Sequence, residues 1–423
     1  MELKIAGNTI DKYNDVTVNL KYDSIASTFG FKVYFDPDNS VHKTLFKPGM
    51  YHRCEIRHGD VLLLTGTALI GSFEDSEVQS LVNISGYSLT GILEDCPVVT
   101  TPLENNGLTF KEIAEKITAH YGISVIVDKE VATICNTVIA KSLPNQDQSV
   151  RSYLDDISKQ LNIVLSHTPE GNLLLTRVKV GKMLTTVKTY VRIKPTARSS
   201  AIEGAPEFGA KEETTKVAVS RAILFDFDKS VKQNPKWLNM KLKFDGQKMH
   251  SDILVVGQAG ENTNNAPQSD REINPYVPAQ IAKAEVIINK VIPFTTEIQG
   301  SPSSLNILDT TPKRGIRPRT EIQTKGDDNT APLMARSILS DELKNITLSI
   351  EVEGWTLNDN LITPNQMITV INPSIFLYFK TQFFIQDVSF SGNEAKETAI
   401  ITCVVPECFN KDIVKNIFDA TTI

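Results

Sequence analysis

Three groups of residues have types and spacings that chemistry could use. In YHRCEIRH, His52, Cys54 and His58 share strand parity and so could present metal ligands on one face. Met50 and Ile56 fall on that same face, which favours a packed surface over a metal site. In LFDFDKS, Asp226 and Asp228 alternate with Phe225 and Phe227, the pattern of a strand with one buried side rather than of a catalytic acid pair. GQAGEN, with Gly257 and Gly260, is too short for a dinucleotide loop and lacks the Lys-Ser/Thr of a phosphate loop, so it reads as a turn. No Gly-x-Ser-x-Gly, His-Glu-x-x-His or Cys-His pairing points to nucleophilic or metal-assisted hydrolysis. The sequence therefore assigns no catalytic residue, no cofactor and no metal ligand, and the chain is not expected to be an enzyme.

Charge and cysteine usage narrow the remaining classes. A formal net charge of −6 over 423 residues gives no general attraction to nucleic acid or anionic lipid, so DNA binding is disfavoured as a main role. The basic run TPKRGIRPRTEIQTK (Lys313, Arg314, Arg317, Arg319, Lys325) reads as a loop from its Gly and Pro content, either a plain solvated loop or a contact for DNA or an acidic partner, of which a neighbouring protein is the better functional reading. Five scattered cysteines (Cys54, Cys96, Cys135, Cys403, Cys408) without a C-x-x-C pair fit reduced, buried thiols. The N-terminus lacks the apolar core of a signal peptide, and no apolar run approaches a membrane span; both point to a product of the cytoplasm.

The elements that position these residues are mainly strands. Residues 1–100 hold VTVNLKY, FKVYFD, YHRCEIRHG, DVLLLTGTALIGSF and SLVNISGYSLT, separated by turn chemistry, as in an antiparallel barrel or sandwich. Across 101–180 the period changes. Thr109 with Glu112 forms a capping box for a helix with Phe110, Ile113, Ala114, Ile117 and Tyr121 on one face. Val150, Tyr153, Leu154, Ile157 and Leu161 mark a second helix, and a hairpin follows. This is a small α+β insert. In 181–335, strand-like pieces alternate with long polar loops, of which GQAGENTNNAPQSDREINPYVPAQ is the longest. A helix over TAPLMARSILSDELKN leads into 336–410, where Ile346, Leu348, Ile350 and Val352 alternate strictly with polar residues. Residues 411–423 form a tail.

The first and last parts share a grammar. LFKPGMYHRCEI, with Leu45, Pro48 and Gly49, can be laid over LITPNQMITVI, with Leu361, Pro364 and Asn365. In each, Pro sets the first turn dihedral and Gly or Asn tolerates positive φ at the next position. A strand, a turn, a long strand, an acidic link and an alternating strand follow in the same order. Any pair of antiparallel hairpins would share part of this grammar, so the residues leave open whether one module occurs twice.

The pattern resembles the baseplate hub proteins of Mu-like contractile-tailed phages, related in fold to the T-even hub and to type VI secretion spike proteins. Gly86, Tyr87, Ser88, Thr90, Leu93, Asp95 and Cys96 look like the signature that closes that family's first domain. Gly354, Trp355, Leu361, Pro364, Asn365, Pro406 and Phe409 look like its closing run. The resemblance covers most of the chain and is thinnest between about 195 and 335.

What it implies is a homotrimer in which each chain carries two tail-tube-like antiparallel β-barrels and a small α+β domain. Three chains would then present six similar barrels with pseudo-six-fold symmetry, pairing edge strands around the ring. By the same analogy, strands between 182 and 260 are expected to join the 340–410 segment and complete the second barrel. The implied function is a structural hub that joins a three-fold tail spike to a six-fold tail tube and leaves a channel for DNA in transit. Its partners would be the spike, tube or tube-initiator proteins, the tape measure protein and wedge proteins of the baseplate, with no membrane insertion, and its place the virion tail. The rivals are the tail-like part of a secretion or pyocin-type spike complex, which would need a long C-terminal β-helix beyond Ile423, and a tail-associated cell-wall hydrolase.

Overall fold

The computed structural model describes residues 1–10, 12–177, 183–192, 210–219, 223–228, 237–256, 269–277, 317–322, 331–357, 360–393, 395–409 and 413–418, with the backbone alone for 183–192, 210–219, 223–226 and 269. GQAGEN, Lys313, Arg314 and Lys325 lie outside these residues. The described residues are mainly β, with a few helices.

The first part contains β1 (Glu2–Ile5), β2 (Asn8–Ile10), β3 (Asp15–Lys21), β4 (Thr28–Tyr34), α1 (Ser40–Leu45), β5 (His52–His58), β6 (Val61–Asp75), β7 (Ser80–Ser88) and the short α2 (Ile92–Asp95). Alternation drives these strands: Val16, Val18 and Leu20 of β3 and Phe29, Phe31 and Val33 of β4 are all buried, with polar residues between them facing out.

The insert holds β8 (Leu108–Thr109), α3 (Phe110–Thr118), β9 (Val125–Val127), α4 (Ala132–Cys135), β10 (Val138–Ile139), α5 (Val150–Gln160), β11 (Val164–His167) and β12 (Leu173–Thr176). The expected capping box is present: the Glu112 amide donates to Thr109 Oγ1 at 3.3 Å, and the Thr109 amide donates to Glu112 Oε2 at 2.8 Å. Two donors that the first helical turn leaves unpaired are thus satisfied. Phe110, Ile113, Ala114 and Ile117 are fully buried against Tyr153, Leu154 and Ile157 of α5, in a core of the insert's own that also takes in Ile25 and Leu93.

The middle region contributes β13 (Met183–Arg192), β14 (Ala210–Val219), β15 (Ile223–Asp228), β16 (Trp237–Phe244), β17 (Asp252–Val256), β18 (Ser269–Ile273), β19 (Pro318–Ile322) and α6 (Ala331–Leu343). The last part has β20 (Ile346–Glu353), β21 (Thr356–Leu357), β22 (Asn360–Leu361), β23 (Met367–Asn372), β24 (Leu377–Asn393) and β25 (Glu397–Val404). Strands from between 182 and 260 pair with this part: β15 runs parallel to β23, and β16 antiparallel to β20.

Two expectations are corrected here. The basic run is not wholly a loop, because its Pro318–Ile322 stretch pairs in parallel with β17; proline is tolerated as the first residue of an edge strand, where its missing N–H is not needed. The long polar stretch likewise contains β18, antiparallel to β17.

The first and last parts do not form separate sheets. β3 pairs antiparallel with the far half of β24, giving one 13-stranded sheet whose main path runs β16-β20-β25-β24-β3-β4-β7-β6-β5-β1-β2, with β15 and β23 branching beside β24. One hydrophobic core, from Leu3 to Phe409, underlies both parts. No closed barrel forms in a single chain among the described residues.

Replacing Thr109 by Ala removes one reciprocal half of the cap and is expected to lower stability by about 1 kcal/mol. Urea titration followed by far-ultraviolet circular dichroism measures the loss; an unchanged midpoint would contradict the capping assignment.

Candidate assembly interface

Strand order shows how the two parts correspond. Read from the outside in, the first gives β3-β4-β7-β6-β5-β1 and the last gives β16-β20-β25-β24-β23-β15. The turns agree as well: Gly49 follows Pro48 with φ +79°, and Asn365 follows Pro364 with φ +68°. Each of these left-handed residues leads into the strand that begins the meander, β5 or β23. The long strands carry bulges at matching places, between Ile70 and Ser72 in β6 and between Ile385 and Asp387 in β24. A bulge adds one residue and turns the strand. In β24 it marks where one edge changes partner, from β23 to β3.

This joint between the parts is both packed and charged. Trp355 is buried, lies edge-on to Phe390 and His58, and donates its indole N–H to the Ser391 carbonyl at 3.0 Å. Its ring covers Gly392, where a Cβ would overlap the indole. At the other end of the joint, Lys344 Nζ lies 2.9 Å from Asp23 Oδ2 and 2.9 Å from Asp341 Oδ1, and 5.2 Å from the centre of the Phe409 ring. Gln386, the bulge residue, donates to both Asp23 oxygens at 2.9 and 3.0 Å. Burial opposes the Lys344 charge, but Asp23 and Asp341 outweigh it and hold its pKa above the ordinary lysine value. Burial likewise opposes the Asp23 charge, and Lys344 outweighs it. At Asp387 burial and then the Asp23 charge outweigh the opposing Lys21 and Lys344 charges and push its carboxyl up to about 7, and its buried Oδ1 has no hydrogen-bond partner among the described residues.

The motif residues fall in several places. Pro364, Asn365 and Thr363 line a cleft of about 390 Å³ together with Leu20–Tyr22 of the first part and Ser166–Pro169 of the insert. Trp355 and Phe409 sit at the two ends of the joint, and Phe409 packs on Tyr22 and Phe384. Gly354 has φ +78° before the tryptophan, and Pro406 opens the short 3-10 turn that delivers Phe409. Leu361, in β22, packs half-buried against the main core. Gly86 lies where β7 crosses β4 and β6, so close that a Cβ would overlap the Thr67 carbonyl and the Phe29 ring. Leu45 is buried at the end of α1, and Asp95 ends α2, near the start of the insert.

The chemical temptations resolve into packing. Burial pushes the Cys54 thiol up to about 12, so it is a poor thiolate ligand, and His58 lies against Trp355. Met50 is exposed, contrary to the face expected for it, because it lies in the turn before β5. Among the described residues no cluster of His, Cys, Asp and Glu could hold a metal ion. Phe227 is fully buried and Asp226 is paired through its backbone to Thr369. Arg319 is held by Glu321 and Glu342 at 2.7 and 3.1 Å. Among the described residues no helix is long and apolar enough to cross a membrane.

Sequence reasoning missed Asp23, Lys344, Gln386 and Asp387. The usable signal was a slip in parity: Phe383, Phe384 and Ile385 are consecutive apolar residues, and alternation resumes only at Val388 and Phe390.

Comparison with known proteins places the insert first. Residues 90–177 match the family described as baseplate hub protein gp44-like, second domain. The gp44-like segment thus begins just past β7 and ends with β12. Over the whole chain the fold is similar to the prophage MuSo2 43 kDa tail protein from Shewanella oneidensis, with a TM-score of 0.62 at 15% identity, covering 96% of this chain and 98% of that one. It is also similar to the tail protein from Neisseria meningitidis MC58, with a TM-score of 0.63 at 16% identity over 96% and 97% of the two chains. At these identities the likeness is one of fold. No curated protein sequence matches the chain.

The raised Asp387 pKa sets a pH dependence. A carboxyl that holds its proton more tightly when folded contributes stability that is fully present below its unfolded value near 4 and is lost as pH rises through about 7. Urea midpoints should therefore fall between pH 5 and pH 8 more steeply for the natural chain than for Asp387→Asn. Parallel curves for the two proteins would show that Asp387 does not titrate in this range.

Proposed function

We propose that this chain is the structural hub of a phage tail baseplate. The observation that carries the reading is a gp44-like hub domain placed between two parts of one chain that share strand order, turn chemistry and bulge position. Two equivalent β parts per chain and three chains per ring give six, the number needed to seat a six-fold tube on a three-fold spike. Each part then acts as one of two tail-tube-like barrels, completed in the assembly rather than within a chain.

In this role the motif residues are scaffold. Pro48-Gly49 and Pro364-Asn365 set the entry to each meander, while Trp355 and Phe409 clamp the joint between the two parts. The partners are the spike on one side and tube or tube-initiator proteins on the other, with tape measure and wedge proteins adjoining, and the site of action is the tail of the virion. A chain of net charge −6 suits a ring through which DNA passes without adhering. The protein acts by holding geometry and performs no covalent chemistry.

Light scattering on the purified protein is expected to report a species of three 46.8 kDa chains, and negative-stain images a ring with a central opening. A single-chain mass that persists at high concentration would overturn the hub reading.

A further inference from the structure

The hairpins that correspond in the two parts end in different tips. β5 and β6 are the counterparts of β23 and β24, and their last paired residues are His58 with Val61 and Asn372 with Leu377. The first tip is therefore Gly59 and Asp60, whereas the second runs from Pro373 to Phe376 and is longer. Each holds a left-handed residue, Gly59 at φ +56° and Phe376 at φ +68°. Glycine takes that conformation freely, but a bulky aromatic residue meets a steric cost there. The second part keeps its ring despite that cost, and strain of this kind gathers where a side chain has a task.

We infer that the β23–β24 tip is the surface by which the hub holds its three-fold partner, the spike. On the hub reading, which this assignment requires, Phe376, Tyr378 and Phe379 make the contact.

Symmetry selects the partner. In a ring of three chains the two kinds of tip alternate at equivalent places around the axis. A six-fold body would need the same surface at every one of them, which a Gly-Asp tip and a longer aromatic tip do not offer. A three-fold body meets identical copies of one kind, so it can grip the aromatic tips and pass over the others.

The tip also has the chemistry of a protein-binding surface. Phe376 and Tyr378 are more than half exposed, and Phe379 more than a third. Exposed aromatic side chains grouped in this way carry much of the energy of protein interfaces. Phe376 is braced from behind: its ring lies edge-on to Tyr378 and to Phe418, with centres 5.3 and 5.9 Å away. Phe418 packs in turn on Phe244 and Tyr276, and the Tyr276 hydroxyl donates to the Lys415 carbonyl at 2.9 Å. A ring held like this loses little freedom on binding. Residues 373–380 and 413–418 carry the exposed Lys380 and Lys415 and no Asp or Glu, although the whole chain has a net charge of −6. The face that complements them is apolar with acidic residues at its rim.

The test uses the intact chain with the purified spike protein and the purified tube-initiator protein of the same tail, light scattering giving the mass and biolayer interferometry the binding. A chain carrying Phe376→Gly and Tyr378→Ser is expected to remain a three-chain species, to bind the tube initiator as before, and to bind the spike roughly 30-fold more weakly. Glycine keeps the left-handed turn. Tyr378→Ser alone, which leaves the turn untouched, should show part of the loss, and Asp60→Ser in the counterpart tip should show none. If the double variant is a three-chain species that binds the spike with natural affinity, the surface is wrongly assigned and the hub reading stands. If it loses the three-chain mass that the natural chain keeps, the tip is a contact between copies and the assignment falls. A loss at the tube initiator instead of the spike, or an equal loss of spike binding in Asp60→Ser, also overturns it. A natural chain that stays single in solution, or that binds no spike, overturns the hub reading itself and this surface with it.

Discussion

The pairing of β3 with the far half of β24 is the contact from which the rest of the architecture follows. β3 lies at the edge of the first meander, and an uncovered edge presents a row of backbone donors and acceptors that will take any strand offered. Here the chain offers its own: residues 15–21 meet residues 387–393, more than 360 positions away in sequence. Closing so long a loop has an entropic cost, but that cost grows only logarithmically with length. Seven register pairs, the burial of Val16, Val18 and Phe390, and the Trp355 cover over Gly392 oppose it.

That joint includes charges which do not all favour it. The Asp23–Lys344–Asp341 arrangement is well satisfied, with Gln386 filling the remaining acceptor capacity of Asp23. Asp387 stands beside it without a donor for Oδ1 among the described residues. Buried ionic groups rarely add stability over apolar replacements, but mismatched ones penalise wrong pairings heavily. Lys344 follows α6 directly, and Asp23 follows β3, so the ion pair reports at once on the middle helix, the first meander and β24. A one-residue slip of β3 along β24 would move Asp23 away from Gln386 and leave a buried charge unpaired. The network therefore specifies register more than it adds to affinity.

What could be read in the sequence was local. The capping box at Thr109 and Glu112, the alternation in β20 and the two Pro-Gly/Asn turns depend on neighbours within a few residues, and each took the expected form. The duplicated grammar was legible for the same reason. Partners chosen across long separations were not legible: nothing near Asp23 announces Lys344, and nothing in PRTEI announces β17, because that strand's neighbour lies about sixty residues earlier. The basic run was misread in part because its composition suits a loop, while tertiary pairing made a strand of its centre. The bulges left a trace only as broken parity, which single-strand patterning treats as noise.

The two parts, though equivalent in order, have diverged in detail. Beyond its bulge β24 keeps six pairs with β25, whereas β6 keeps four with β7. β15 runs parallel to β23, whereas β1 runs antiparallel to β5. The longer hairpin belongs to the joint that forms within the chain, where tethering makes the local concentration high and register is the main problem.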